Sequence, residues 1–162
     1  MPQDASFHDA DEKPVRLLAQ SAEDLEVVSS LLQDAVATAG DVAWLKGRRR
    51  FALLLGRFRW EDKDRAAAAG RPFERVRAVL SVDQATAVRA AGVDPAEKDA
   101  VLSILSLSWD GAEDPEDPSG TLRITLAGDG EIAVEAEYLD LRLEDVTRPY
   151  AAPSGKAPTH DA

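Results

Sequence analysis

Polar and apolar side chains alternate along residues 121–138 on both sides of Gly128-Asp129-Gly130. Alternation with period two puts every second side chain on one face, so each half reads as a half-buried strand. A glycine–aspartate–glycine turn between two such runs is a strong short-range signal for a hairpin. A chain with this pattern is committed to an antiparallel sheet over part of its length, and the remaining segments must supply its neighbours.

Several segments do so. Val76, Ala78, Leu80 and Val82 alternate with Arg75, Arg77, Ser81 and Asp83, and Val101–Trp109 forms another apolar run of strand length. Val42-Ala-Trp-Leu and Arg50–Trp60 read as strands around a Lys46-Gly47-Arg48 turn. In the second of these, Phe51, Leu53 and Leu55 share a face, while Phe58 and Trp60 have the opposite parity. A bulge near Gly56 would bring all five to one side and turn Arg57 and Arg59 outward. Leu139, Leu141 and Leu143 continue the final alternation after a parity slip at Tyr138–Leu139, which implies a second bulge or a change to helix. Residues 83–92 fit either a strand or a short Ala-rich helix closed by Gly92. Residues 61–72 read as a solvated connection, with room for one helical turn in the alanines.

One helix is expected. Ser21 before Ala-Glu-Asp has the form of an N-cap with acids in the first turn. Leu25, Val28, Leu31, Leu32 and Ala35 then recur at helical spacing over 22–35. One helix followed by six or seven strands, without regular strand–helix alternation, favours an α+β fold. The expected architecture is an N-terminal amphipathic helix packed on a mainly antiparallel, strongly bent sheet or partly open small barrel. Residues 1–14 read as a flexible arm, 15–146 as one α+β domain, and 147–162, with three prolines, as a flexible tail.

Charge is unevenly spread. The chain of 162 residues carries a net −11, yet residues 46–77 alone hold 11 basic and 4 acidic side chains. That block either pairs with acids inside the fold or presents a basic surface to a partner. Arg57-Phe58-Arg59-Trp60 mixes guanidinium groups with aromatic rings, as sites for phosphate, RNA or acidic peptide do. The plainer reading keeps the aromatics in the core and the arginines outside. The overall negative charge opposes generic nucleic-acid binding, so nucleic acid is not an expected partner.

Much chemistry is missing. With no cysteine there is no disulfide, thiolate zinc site or thiolate-held cluster. The two histidines, His8 and His160, fall in the expected tails, which argues against histidine ligands or a histidine-activated nucleophile. No phosphate-binding loop or dinucleotide fingerprint is present. The acidic stretch Asp110–Gly120 lacks EF-hand spacing and reads as a solvated loop, so no metal and no cofactor is expected. No apolar run has membrane-spanning length, and Met1-Pro-Gln-Asp-Ala-Ser-Phe-His has no signal-peptide character. A cytoplasmic location is the expectation.

Three pieces together resemble a known family: Leu32-Gln33-Asp34-Ala35, Gly40-Asp41-Val-Ala43-Trp44-Leu45, and Phe51-Ala-Leu-Leu-Leu-Gly-Arg57-Phe58-Arg-Trp60-Glu61. With Arg75-Val76 and Val101-Leu102-Ser-Ile-Leu, they are similar to small alphaproteobacterial proteins classed as a domain of unknown function. The resemblance spans roughly residues 16–146. It implies a bacterial cytoplasmic protein and supplies no activity or catalytic residue.

Two functions are expected from different classes. The first is a non-catalytic interaction or accessory module binding a protein or acidic ligand through segment 46–77, around Arg48, Arg49, Arg57 and Arg59. The alternative is a small-molecule-binding protein or weak enzyme with a helix–sheet cleft near Gln33, Asp34, Asp41 and Trp44, where helix gives way to strand.

Overall fold

The computed structural model describes residues 13–94, 96–153 and 157–158. Strand β1 (Arg16–Ala19) leads into helix α1 (Ala22–Leu31), then β2 (Val36–Thr38), β3 (Val42–Leu45) and β4 (Arg50–Phe58). Helix α2 (Lys63–Ala69) precedes β5 (Glu74–Val82), β6 (Ala85–Ala91) and β7 (Val101–Gly111). The chain continues through β8 (Gly120–Leu126), β9 (Glu131–Ala136), β10 (Leu141–Asp145) and β11 (Tyr150–Ala151). The described chain is thus a mostly antiparallel open sheet with two short helices.

The hairpin forms where the alternation places it. Gly128 and Asp129 take positive φ of 82° and 67°, the backbone that a tight turn between right-twisted strands requires. Leu126 N–H donates to Gly130 O at 2.9 Å, and Thr125 then pairs with Glu131 in regular register down the hairpin. Leu122, Ile124, Ile132 and Val134 point to the buried side.

The strand order is β1-β10-β5-β4-β2-β7-β8-β9-β6, with β3 also on β4 and β11 also on β5. Three-residue β2 joins the two halves, since Val36 pairs with both Gly56 and Ser103. Both halves feed one core. Phe51, Leu53, Leu80 and Leu143 from one side cluster with Ile124, Ile132 and Val134 from the other. The sheet therefore bends back on itself, and burying each Leu or Ile side chain contributes about 1.5–3 kcal/mol.

Helix α1 ends at Leu31, four residues before the expected limit at 35. Its end is set by Asp34, whose φ of 64° breaks helical backbone and whose N–H donates to Ile104 O at 2.8 Å. Leu25 and Val28 are its buried residues, while Leu32 and Ala35 reach the same core from the turn that follows.

The bulge expected at Gly56 does not occur. Pairing of β4 with β5 runs without interruption from Phe51↔Val82 through Gly56↔Arg77 to Phe58↔Arg75. Arg57 therefore keeps the core-facing parity of Phe51, Leu53 and Leu55, and Phe58 lies on the other face. Phe58 is buried there by a T-shaped contact with Trp60 at 4.8 Å between ring centroids and by Phe73 at 5.9 Å. Trp60 is not on the strand at all, because the chain turns into a 3-10 helix at Trp60–Asp62.

Residues 85–91 form a strand, not a helix. The parity slip near Tyr138 is the bend that carries the chain from β9 to β10. Tyr150–Ala151, inside the segment expected to be irregular, forms a short strand against Arg75 and Glu74 of β5. His8 and His160 lie outside the described residues. Among the described residues no helix is long and apolar enough to cross a membrane.

Candidate functional site

Arg57 is the point where the inner row of β4 changes from apolar to ionic. Its side chain is fully buried, so every N–H needs an acceptor. Nε and Nη2 donate to Asp145 Oδ1 and Oδ2 at 2.9 and 2.8 Å. Nη1 and Nη2 donate to Glu61 Oε1 and Oε2 at 2.9 and 2.8 Å. Nη1 also reaches Phe58 O at 3.4 Å. Two forked pairs and one carbonyl use all five donors.

The partners come from separate elements. Asp145 ends β10 with a side chain 3% exposed, and its Oδ2 also accepts from Val15 N–H at 2.9 Å. Glu61 sits on the 3-10 turn and is 30% exposed, so it is the wetter arm. Burial alone would push the Arg57 pKa down, but the hydrogen bonds and charges of Glu61 and Asp145 outweigh it and raise it. Burial likewise opposes the charged form of Glu61, and the Arg57 guanidinium overrides it, holding that carboxyl below its ordinary range.

A second layer continues the network. Arg59 is buried and donates to Glu74 Oε1, with Glu61 and Asp62 oxygens each 3.7 Å from its nitrogens. Asp62 is itself buried and accepts a fork from Arg71 at 2.9 and 3.1 Å. Burial works against the Asp62 carboxylate, yet the hydrogen bonds of Arg71 and the charge of Arg59 hold its pKa low. Three of the arginines in the basic block are thus matched by Glu61, Asp62, Glu74 and Asp145 inside the protein. The expectation that Arg57 and Arg59 turn outward is corrected by this geometry: matched carboxylates make their burial tolerable.

The remaining expected residues are dispersed among different local arrangements. Arg48 is exposed in the 3-10 turn Lys46–Arg48. Arg49 follows it and pairs with Glu137 at 2.6 Å on the surface. Gln33 O accepts the Trp60 indole N–H at 2.9 Å. Asp34 faces Arg75, whose pKa burial lowers and whose Nη2 donates to Gly56 O at 3.0 Å. Asp41 Oδ2 accepts from Thr38 N–H and Oγ1 at 3.0 and 2.9 Å, closing a local cap. Trp44 pairs across from Phe51 and packs against the core. Asp41 and Trp44 therefore have local structural duties.

A different surface gathers side chains from four strands. On the face of the sheet away from the core, Ala43 and Leu45 lie opposite Ala52 and Arg50, and Leu54 lies opposite Val79. Leu45, Ala52, Val79 and Val146 give a groove of about 450 Å³ its apolar lining, and Arg50, Asp83, Arg142 and Glu144 its charges. Leu45 and Val146 are 41% and 53% exposed. Arg50 Nε donates to Asp83 Oδ1 at 2.7 Å, which raises the Arg50 pKa. One end of the groove is continuous with the exposed basic turn Lys46-Gly47-Arg48-Arg49.

The sequence reading missed this face, and it missed Asp145. A signal for Asp145 was present. Leu141, Leu143 and Asp145 share one parity, as do Leu53, Leu55 and Arg57, so two opposite charges stand in line with two core rows. The acidic loop before β8 is held by its own turns: Asp114 and Asp117 accept from Glu116 and Ser119 N–H, each at 2.9 Å. Asp110 pairs with Arg123. Among the described residues, no group of three or more acidic or histidine side chains is placed to hold a metal ion.

No curated protein and no solved structure matches this chain significantly. A family profile does match, over residues 15–160, so the chain belongs to a family described as protein of unknown function (DUF2948).

Proposed function

We propose that this protein is a non-catalytic interaction module of the cytoplasm, which receives an acidic protein segment with an apolar anchor on the outer face of β3, β4, β5 and β10. The observation that carries this reading is the groove between Leu45 and Val146. It has an apolar floor and a charged rim, the anatomy of a protein-binding surface. Lys46 and Arg48, exposed in the turn that borders it, supply positive charge for an acidic partner. Arg57 and Arg59, once expected to contribute, are neutralised inside and take no part. A protein fits better than a nucleic acid, because the net charge of −11 repels a polyanion at long range.

The test starts with a partner recovered from the native cell with the full chain, then measured against purified protein. Leu45→Asp and Arg50→Glu should each weaken that complex at least about tenfold, a 1.4 kcal/mol effect, while leaving thermal unfolding nearly unchanged. Unaltered affinity in both variants would remove the outer face from the account.

A further inference from the structure

Among the described residues, strand β6 ends the sheet path and pairs with β9 alone, and the edge it leaves is unusual for what it lacks. Natural sheets blunt their edges with short strands, prolines, charges or bulges. Edge strand β1 follows that practice: it has four residues, begins with Arg16 and comes two residues after Pro14. Strand β6 has seven residues, no proline and one charge, Arg89. Its single register shift lies between Ala85 and Ala87, and from Ala87 to Ala91 the pairing with β9 is regular. Ala85 N–H is taken by Arg49 O at 2.9 Å, so the edge that remains open begins at Thr86. Thr86, Arg89, Ala90 and Ala91 are exposed.

We infer that β6 is a pairing edge for a second copy of this chain, which adds its own β6 antiparallel to the first across a two-fold axis at Val88. An antiparallel pair is symmetric in its backbone hydrogen bonds, so one strand serves both sides. A foreign extended peptide would need side-chain pockets to be recognised, and this edge offers alanines. A Val88-centred register sets Val88 against its copy, Arg89 against Ala87 and Ala90 against Thr86, which avoids placing Arg89 opposite itself. The charges beside the edge are already balanced: Arg89 pairs with Glu135 at 3.2 Å, and Arg123 with Glu131 at 3.0 Å. Self-pairing therefore meets little local repulsion, although two copies of net charge −11 repel at long range. Screening that repulsion with salt should strengthen the dimer, the reverse of an ion-pair interface. This inference does not rest on the outer-face groove, which lies on the other half of the sheet.

The experiment is sedimentation equilibrium of the full chain from about 1 to 500 μM, at low and high salt, with hydrogen exchange of the β6 amides. The mass should rise toward that of a dimer with concentration, more strongly at high salt, with β6 amides gaining protection. Ala90→Lys should weaken the dimer at least tenfold with unchanged circular dichroism. Thr86→Glu added to Ala90→Lys should restore it through two symmetric Lys–Glu pairs. A monomeric wild-type protein across the whole range, or an Ala90→Lys profile identical to wild type, would overturn the inference. Failure of the double variant to recover would overturn the Val88-centred register.

Discussion

Arg57 and Asp145 meet through two parallel hydrogen bonds of 2.9 and 2.8 Å, although 88 residues separate them in the chain. Each continues a core-facing row of leucines, Arg57 after Leu53 and Leu55, Asp145 after Leu141 and Leu143. The pair lies beside buried Val76, which stands directly across from Arg57 on β5. Removing one member leaves the other charge buried without its match, which is the costly way to disturb such a pair.

Acid should weaken this end of the molecule through two of its carboxylates. Glu61 and Asp62 have pKa values below their ordinary ones in the folded protein. A depressed carboxylate contributes stability that is complete above its unfolded pKa and is lost as pH falls through the folded value. Urea unfolding should thus show the Glu61 and Asp62 contribution intact from pH 7 to about 5, and shrinking below about 4.5, near the ordinary Glu and Asp range. Arg57, with its pKa raised, stays charged throughout and adds no slope there. In Glu61→Gln the acid-dependent loss should be smaller than in wild type.

Gly120 opens β8 where it crosses Trp109. A Cβ at that position would stand 2.5 Å from Asp110 O and 2.6 Å from the Trp109 ring. One of these atoms is backbone, so the clash is not relieved by a rotamer change. Gly120→Ala should destabilise the fold by about 1–3 kcal/mol, with a changed Trp109 fluorescence. A stability equal to wild type would mean that the β7–β8 end has freedom to spread.

Ser21 caps helix α1, its Oγ accepting from Asp24 N–H at 3.2 Å. Ser21→Ala should cost about 1 kcal/mol in chemical unfolding, and Ser21→Gly only a few tenths. Because the helix has ten residues, tertiary contacts of Leu25 and Val28 hold it after the cap is lost. The far-ultraviolet circular dichroism of the native state should therefore stay the same.

Local signals in the sequence were sufficient where one segment decides its own structure. Gly128-Asp129-Gly130 dictates its hairpin through backbone conformation, and Val76–Val82 reveals its strand through alternation. The register of Arg57 was not legible in that way. A charged residue on a core parity is unfavourable taken alone, so a bulge at Gly56 is the cheaper local reading. Only Asp145 and Glu61, brought in by tertiary folding, reverse the balance. The same reason hides the outer groove, whose lining comes from β3, β4, β5 and β10 and has no marker within any one of them. Asp41 and Trp44 lie where polar and aromatic groups meet in the sequence, and in the structure Asp41 closes a local cap while Trp44 packs against the core.

Arg57 serves the fold through Asp145, not a ligand at the surface, and a double-mutant cycle between the two tests that directly. Arg57→Met and Asp145→Asn should each destabilise by about 3–5 kcal/mol in urea unfolding. The double variant should be more stable than the sum implies, with a coupling of about 2 kcal/mol or more, since Glu61 is exposed enough to be hydrated once Arg57 is gone. Single variants within about 0.5 kcal/mol of wild type, adding without coupling, would contradict the buried pair and return Arg57 to the surface.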